Sequence, residues 1–256
     1  MVGIELTLLD DKQWPTAAFS VNLPIKPESA ALVIIDVQHY SVDPNDHLAH
    51  TIQKHSQALY DEYAKRVDVM VGNIQRLLET FRSAGRRVVH TRHGKQSPDG
   101  SDLIVRRRNR ETIALGATNG ESGHMAIRGK RGYEIIPDLA PVTGELVLDK
   151  NTSSAFNSTP IDLFLRNMKL ETIVLTGIAA DQCVLATALD AADRGFHVII
   201  ADDACVTWDP DSATAVQTLF RRIWGYVMST QEVVDWLQTG QLPKRMASNN
   251  GKQQEQ

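Results

Sequence analysis

Residues Thr172 to Asp202 read TIVLTGIAADQCVLATALDAADRGFHVIIAD. The stretch opens on an apolar run, TIVLTG (Thr172 to Gly177), and closes on another, HVIIAD (His197 to Asp202). Between them, Asp181 to Arg194 carries small residues and leucines at helical spacing, with Gly195 behind as a C-terminal stop. Apolar runs without polar alternation are strands buried on both faces. Two of them joined by a helix form the unit from which parallel sheets are built.

The same alternation extends outward in both directions. ALVIID (Ala31 to Asp36) is a further continuous apolar run ended by an acid. Val67, Met70, Val71, Ile74, Leu77, Leu78 and Phe81 then recur at helical spacing, and Gly85 supplies the stop. Strands are predicted at Arg86 to Thr91, Glu145 to Lys150 and Tyr226 to Thr230, and helices at Pro160 to Met168, Ser212 to Ile223 and Gln231 to Leu237. The sequence therefore predicts a three-layer, Rossmann-like α/β domain, with helices flanking a six-stranded, mainly parallel sheet. Residues 1–29 read as an N-terminal arm, 30–240 as the domain, and 241–256 as a polar, disordered tail. His93 to Gly132, rich in Arg, Gly, Asn and Ser, breaks the rhythm as a long excursion, a lid or an interface.

Composition narrows the function classes. The chain of 256 residues is 42% hydrophobic and 23% charged, with a net charge of -4, which does not suggest a nucleic-acid binder. No apolar run approaches the roughly 18 residues of a membrane span, and MVGIELTLLDDKQWP lacks the pattern of a secretory signal. Two cysteines make no disulfide framework, so reduced thiols and a cytoplasmic location are expected.

In open parallel sheets, ligands bind beyond the carboxyl ends of the strands. Asp36 ends the first predicted strand, Lys150 ends the third, and Cys183 follows the fourth. Each has an ordinary structural reading: a turn-forming acid, a solvated lysine, a core cysteine. Together on one rim they supply a carboxylate for proton transfer, an ammonium and a thiol nucleophile. Asp181, two residues before Cys183, is expected to cap the helix, so that the dipole and Lys150 favour the thiolate.

ALVIIDVQ, LVLDKNTSSAF and VLTGIAADQCV, in this order, resemble the motifs of the isochorismatase-like cysteine hydrolases over roughly Ala31 to Thr230. The resemblance implies a catalytic triad of Asp36, Lys150 and Cys183. It also implies a cis Ile178–Ala179 peptide and an oxyanion hole formed by the backbone N–H groups of Ala179 and Cys183. Assembly as a homo-oligomer, a dimer or tetramer, is a further implication. DVQHYSVDP departs from common family patterns, and His39 and Tyr40 are expected to alter the entrance. Some members bind a metal through Asp and His residues after the aspartate. Here Asp46, His47, His50 and His93 lack the Asp-x-His spacing, and neither metal nor cofactor is expected.

Gln38, Arg92, Phe156 and Trp208 are the candidates for substrate binding. The run from Arg106 to Arg110 reads as a solvated or inter-subunit face, with attraction of an acidic substrate as the alternative. Cys205 is read as structural. The expected reaction is hydrolysis of a small amide, ureide or carbamoyl compound through a thioester, releasing ammonia or an amine. Vinyl-ether hydrolysis and non-catalytic binding on the same fold remain open alternatives.

Overall fold

The structure, a computed structural model, describes residues 21–108 and 126–247. Most of the predicted arm (1–20), the centre of the excursion (109–125) and the end of the tail (248–256) lie outside the described residues.

Six strands form one sheet: β1 (Ala30–Ile35), β2 (Arg87–His93), β3 (Leu146–Lys150), β4 (Thr172–Ile178), β5 (His197–Val206) and β6 (Tyr226–Met228). Their order is β3-β2-β1-β4-β5-β6, and every neighbouring pair is parallel. The chain works outward from β1 to β3, then returns to lay β4 against the other side of β1. The crevice at the carboxyl ends of β1 and β4 is therefore the topological switch point.

The helices are α1 (His39–Val42), α2 (His47–His55), α3 (Gln57–Ser83), α4 (Ile161–Asn167), α5 (Leu185–Asp193), α6 (Pro210–Ile223), α7 (Thr230–Thr239) and α8 (Lys244–Ala247). Successive side chains of β1 point to opposite faces, which divides the core in two. Ala30, Leu32 and Ile34 pack with Met70, Ile74 and Phe81 of α3 and Trp236 of α7. Ala31, Val33 and Ile35 pack with Leu165 of α4, Ala188 of α5 and Phe220 of α6. Full burial of all six β1 residues explains why its sequence shows no polar alternation.

Local chemistry sets the helix ends. The Ser56 side chain accepts from Leu59 N to cap α3, and Gly85 after it takes φ +62°. Asp209 caps α6 ahead of Pro210, and Ser229 with Glu232 forms a capping box on α7.

Several boundaries differ from the sequence expectation, two of them near the rim. β5 does not stop at Asp202. The register shifts between Leu175 and Gly177, and the strand resumes with Cys205 opposite Gly177 and Val206 opposite Ile178. The acids at 202 and 203 occupy that irregularity, where Asp203 accepts from Thr230 N and Oγ1 at 2.7 Å. The predicted Asp181–Arg194 helix starts instead with a π-helical turn, Ala180–Val184, before α5.

Gly177 lets β4 approach β1 at the rim. It has φ +109°, and a Cβ there would lie 2.2 Å from the Ile35 carbonyl oxygen. Gly177→Ala should lower stability by about 3 kcal/mol or more, roughly 6 °C or more in Tm for a chain of this size. Gly85→Ala meets open space and carries only the left-handed backbone cost of about 1–2 kcal/mol. Thermal melts of the two variants check this; equal shifts would contradict the close approach.

Candidate active site

Asp36 follows β1 and turns the chain out of the sheet with φ +54°, a left-handed conformation that Asp tolerates better than most residues. Its N–H meets the Thr91 carbonyl, and the Thr91 hydroxyl donates to Oδ1 at 2.7 Å. The other carboxylate oxygen lies 2.6 Å from Nζ of Lys150. Lys150 ends β3, on the far side of β2, and its long side chain spans that width to reach Asp36. Its ammonium also donates to the carbonyls of Thr152 at 3.1 Å and Ser153 at 3.0 Å. Both side chains are fully buried, so each charge depends on the other and on these polar neighbours.

Cys183 stands in the π-helical turn that leaves β4. The Thr187 hydroxyl donates to its carbonyl at 2.7 Å and accepts from Ala155 N, which ties the turn to the segment after Lys150. The Ile178–Ala179 peptide is cis, and the Ala179 carbonyl accepts from Gln182 and Val184. Asp181 does not cap the helix as expected. The turn begins one residue earlier, with Ala179 in the capping position, and the Asp181 carboxylate takes the Thr207 hydroxyl.

Burial pushes the Cys183 thiol above its ordinary value, and the Asp36 carboxylate beside it adds to the rise by charge and by hydrogen bonding. Lys150 and Arg107 pull in the opposite direction without overcoming it. Lys150 thus favours the thiolate, as the sequence reading expected, while burial and the neighbouring Asp36 carboxylate act against it.

Arg107 is the site residue that the sequence reading placed on a solvated or inter-subunit face. It is 7% exposed, and its Nη2 lies 3.5 Å from Cys183 Sγ and 3.0 Å from Ser153 Oγ. Residues 105–108 form a turn of helix, on which successive side chains point about 100° apart. Consecutive arginines on such a turn cannot all face solvent once it lies against the domain, and that spacing was the available signal. Arg106 reaches Ser153 Oγ from the exposed side, and Arg110 lies outside the described residues.

Of the four substrate-binding candidates, three are engaged elsewhere. Gln38 is fully buried; its amide donates to the carbonyls of Tyr133 and His93 and accepts from His93 N. It clasps the excursion to the end of β1. Arg92 is held by Asp149 and Glu134, both at 2.8 Å, over the Tyr133 ring. Phe156 packs in the core against Phe196, ring centroids 5.7 Å apart, with Arg194 over its outer face. Those partners precede β5, away from the carboxyl rim. Trp208 stacks on Tyr63, and its buried Nε1 has no hydrogen-bond partner.

Two residues flagged only by position also approach the site. Burial, with Asp36 and Cys183 nearby, holds the Tyr40 phenol well above its ordinary value, and Arg107 opposes this. His93 is buried, with its ring against the Lys150 main chain. Burial, then Lys150 and Arg107, hold it well below the usual imidazole value, so the ring is neutral. His39 pairs instead with Asp43, and Asp46 faces Arg131. Cys205 lies within β5, where burial raises its thiol strongly.

Residues 30–232 match the sequence model of the isochorismatase domain. Ureidoacrylate amidohydrolase RutB from Serratia proteamaculans (strain 568) is 26% identical over 212 residues, covering 75% of this chain and 79% of its own. A cysteine hydrolase from Pseudomonas syringae pv. phaseolicola 1448A superposes with a TM-score of 0.71 at 25% identity, covering 87% of this chain and 98% of that one. N-carbamoylsarcosine amidase from Thermoplasma acidophilum gives a TM-score of 0.60 at 27% identity, with 80% and 98% covered.

The charges around the thiol fix the sign of its response. Removing the lowering charge in Lys150→Met should move the pH midpoint of Cys183 alkylation by iodoacetamide upward. Removing the raising charge in Asp36→Asn should move it downward. Shifts of the opposite sign would show that these groups do not govern the thiol.

Proposed function

The chain belongs to the isochorismatase family, and we propose that it is a thiol-dependent amidohydrolase cleaving a C–N bond of a small amide, ureide or carbamoyl compound. The observation that carries this reading is the convergence on one buried point of the Asp36–Lys150 ion pair and the Cys183 thiol from opposite sides of the switch crevice. A vinyl-ether hydrolase has no use for the thiol and would leave its position without a chemical reason. The relatives named for ureidoacrylate and N-carbamoylsarcosine support a carbamoyl or ureido substrate.

In the proposed reaction, Asp36 takes the thiol proton as Cys183 attacks the carbonyl. Lys150 keeps the carboxylate in place and offsets negative charge that develops near it. The backbone N–H groups of Ala179 and Cys183 receive the oxyanion. The amine or ammonia leaves with the proton from Asp36. Water, deprotonated by Asp36, then releases the acid from the thioester, and Asp36 returns that proton to the Cys183 sulfur. Trp208, whose indole N–H is unused, is proposed as a wall of the substrate pocket.

Cys183→Ser should lose at least about a thousandfold in ammonia release from a panel of ureides and amides, because a hydroxyl is far less ionised than a thiol. Cys205→Ser should stay within a few fold of wild type. Rapid quenching with intact-mass analysis should find an acyl adduct on Cys183. Turnover in Cys183→Ser near the wild-type rate would end the proposal.

A further inference from the structure

The turn that carries Cys183 is held from two sides. On one side the Thr187 hydroxyl donates to the Cys183 carbonyl at 2.7 Å and accepts from Ala155 N, which leads back to the segment after Lys150. On the other side the Thr207 hydroxyl donates to the Asp181 carboxylate. Thr207 is 1% exposed and directly follows Val206, the last residue of β5, which pairs with Ile178 at the end of β4. The bond therefore runs from the end of one strand to the turn that leaves its neighbour.

Thr207 is itself anchored by two side chains of α3. Arg66 spreads its guanidinium over two successive carbonyls, that of Thr207 at 2.8 Å from Nη1 and that of Trp208 at 3.0 Å from Nη2. The rigid, planar fork of arginine fixes the orientation of what it binds. Tyr63 stacks on Trp208 with ring centroids 5.2 Å apart, and its hydroxyl donates to the Ser41 carbonyl at 2.7 Å. A chain of contacts thus runs from α3 through residues 207 and 208 to Asp181, two positions before the cysteine. Its end matters because the turn is π-helical, with Val184 N bonded to the Ala179 carbonyl five residues back. Tightening it to an α turn would swing the Cys183 side chain by up to about 100°, the angle between successive helical residues.

Resting on the thiol-hydrolase reading above, we propose that Thr207 is a positioning residue: with Arg66 behind it, it latches the nucleophile turn through Asp181, so that Cys183 faces Asp36 and the oxyanion hole together. Its hydrogen bonds go to Asp181 and Arg66, not to the reacting atoms. The latch acts on direction rather than on ionisation. Attack on a carbonyl requires sulfur, carbon and oxyanion donors to be aligned, and a misplacement of about 1 Å costs on the order of a hundredfold. Alkylation by a small halide requires only an ionised sulfur within reach.

Two reagents separate these demands. p-Nitrophenyl acetate acylates a thiol: the sulfur attacks the carbonyl carbon, p-nitrophenolate leaves, and a thioester forms. Iodoacetamide alkylates the same sulfur with loss of iodide and uses no oxyanion hole. The ratio of acylation to alkylation at Cys183, measured at one pH by mass spectrometry, cancels thiol ionisation and reads alignment. Thr207→Val removes the hydroxyl and keeps the shape; it should lower the ratio by about 10- to 100-fold. Its Tm should fall by only about 2–6 °C, the range of one lost hydrogen bond in a chain of this size. Thr207→Ser should restore most of the ratio. Asp181→Ala should match Thr207→Val, and the double variant should lose no more than either alone, because all three remove one bond. Arg66→Met should give part of the same loss. If Thr207→Val does not fold, Asp181→Ala decides, since Asp181 is partly exposed. An unchanged ratio, a parallel fall of both rates or additive losses would overturn the latch and leave the thiol-hydrolase reading intact. Failure of wild-type Cys183 to form an acyl adduct removes that reading, and the latch falls with it.

Discussion

The buried contact between Lys150 and Asp36 is the constraint around which the rim is organised. Two full charges removed from water cost several kcal/mol each unless geometry and hydrogen bonds offset the loss. Here a 2.6 Å approach is joined by the Thr91 hydroxyl on the carboxylate and by two carbonyls on the ammonium. Removing either partner strands the other, with a typical cost of about 3–5 kcal/mol. That dependence ties β1, β2, β3 and the loop after β3 into one arrangement. In the proposed reaction the pair is also where chemistry occurs, because the same carboxylate lies beside the thiol.

The fold was legible because its physics is local and repetitive. A run such as ALVIID has no polar alternation since β1 is buried on both faces, and the helix of Val67 to Phe81 announces its apolar stripe. Asp36, Lys150 and Cys183, the residues proposed to react, were singled out by their place at strand ends, a property of parallel sheets rather than of any one side chain. What escaped depends on tertiary partners. Asp202 reads as a strand stop, yet β5 takes up extra residues at a register shift and resumes opposite Gly177. Gln38 has the chemistry of a substrate ligand, but the main chain of His93 and Tyr133 absorbs its amide. Phe156 stands close to Lys150 in sequence but packs in the core against Phe196.

Arg107 shows the same limit from the other side. Within a run of basic residues nothing in the sequence says which one turns inward. That depends on how the short helical turn lies against the segment carrying Ser153. Arg107 thereby joins the Asp36–Lys150 pair and the Cys183 thiol at the rim. Tyr40 and Arg107 come from segments that flank the sheet, whereas His93 ends β2.

The central claim is that burial and Asp36 hold the Cys183 thiol above its ordinary value, so that in the proposed reaction its proton passes to Asp36 as the sulfur attacks. The ultraviolet absorbance of the thiolate, followed against pH in the Cys205→Ser chain without substrate, tests this directly. The account predicts a single titration with its midpoint above the ordinary cysteine value of about 8.5. A thiolate already present at neutral pH would contradict it, and would mean that Lys150 and Arg107, not Asp36, set the state of Cys183.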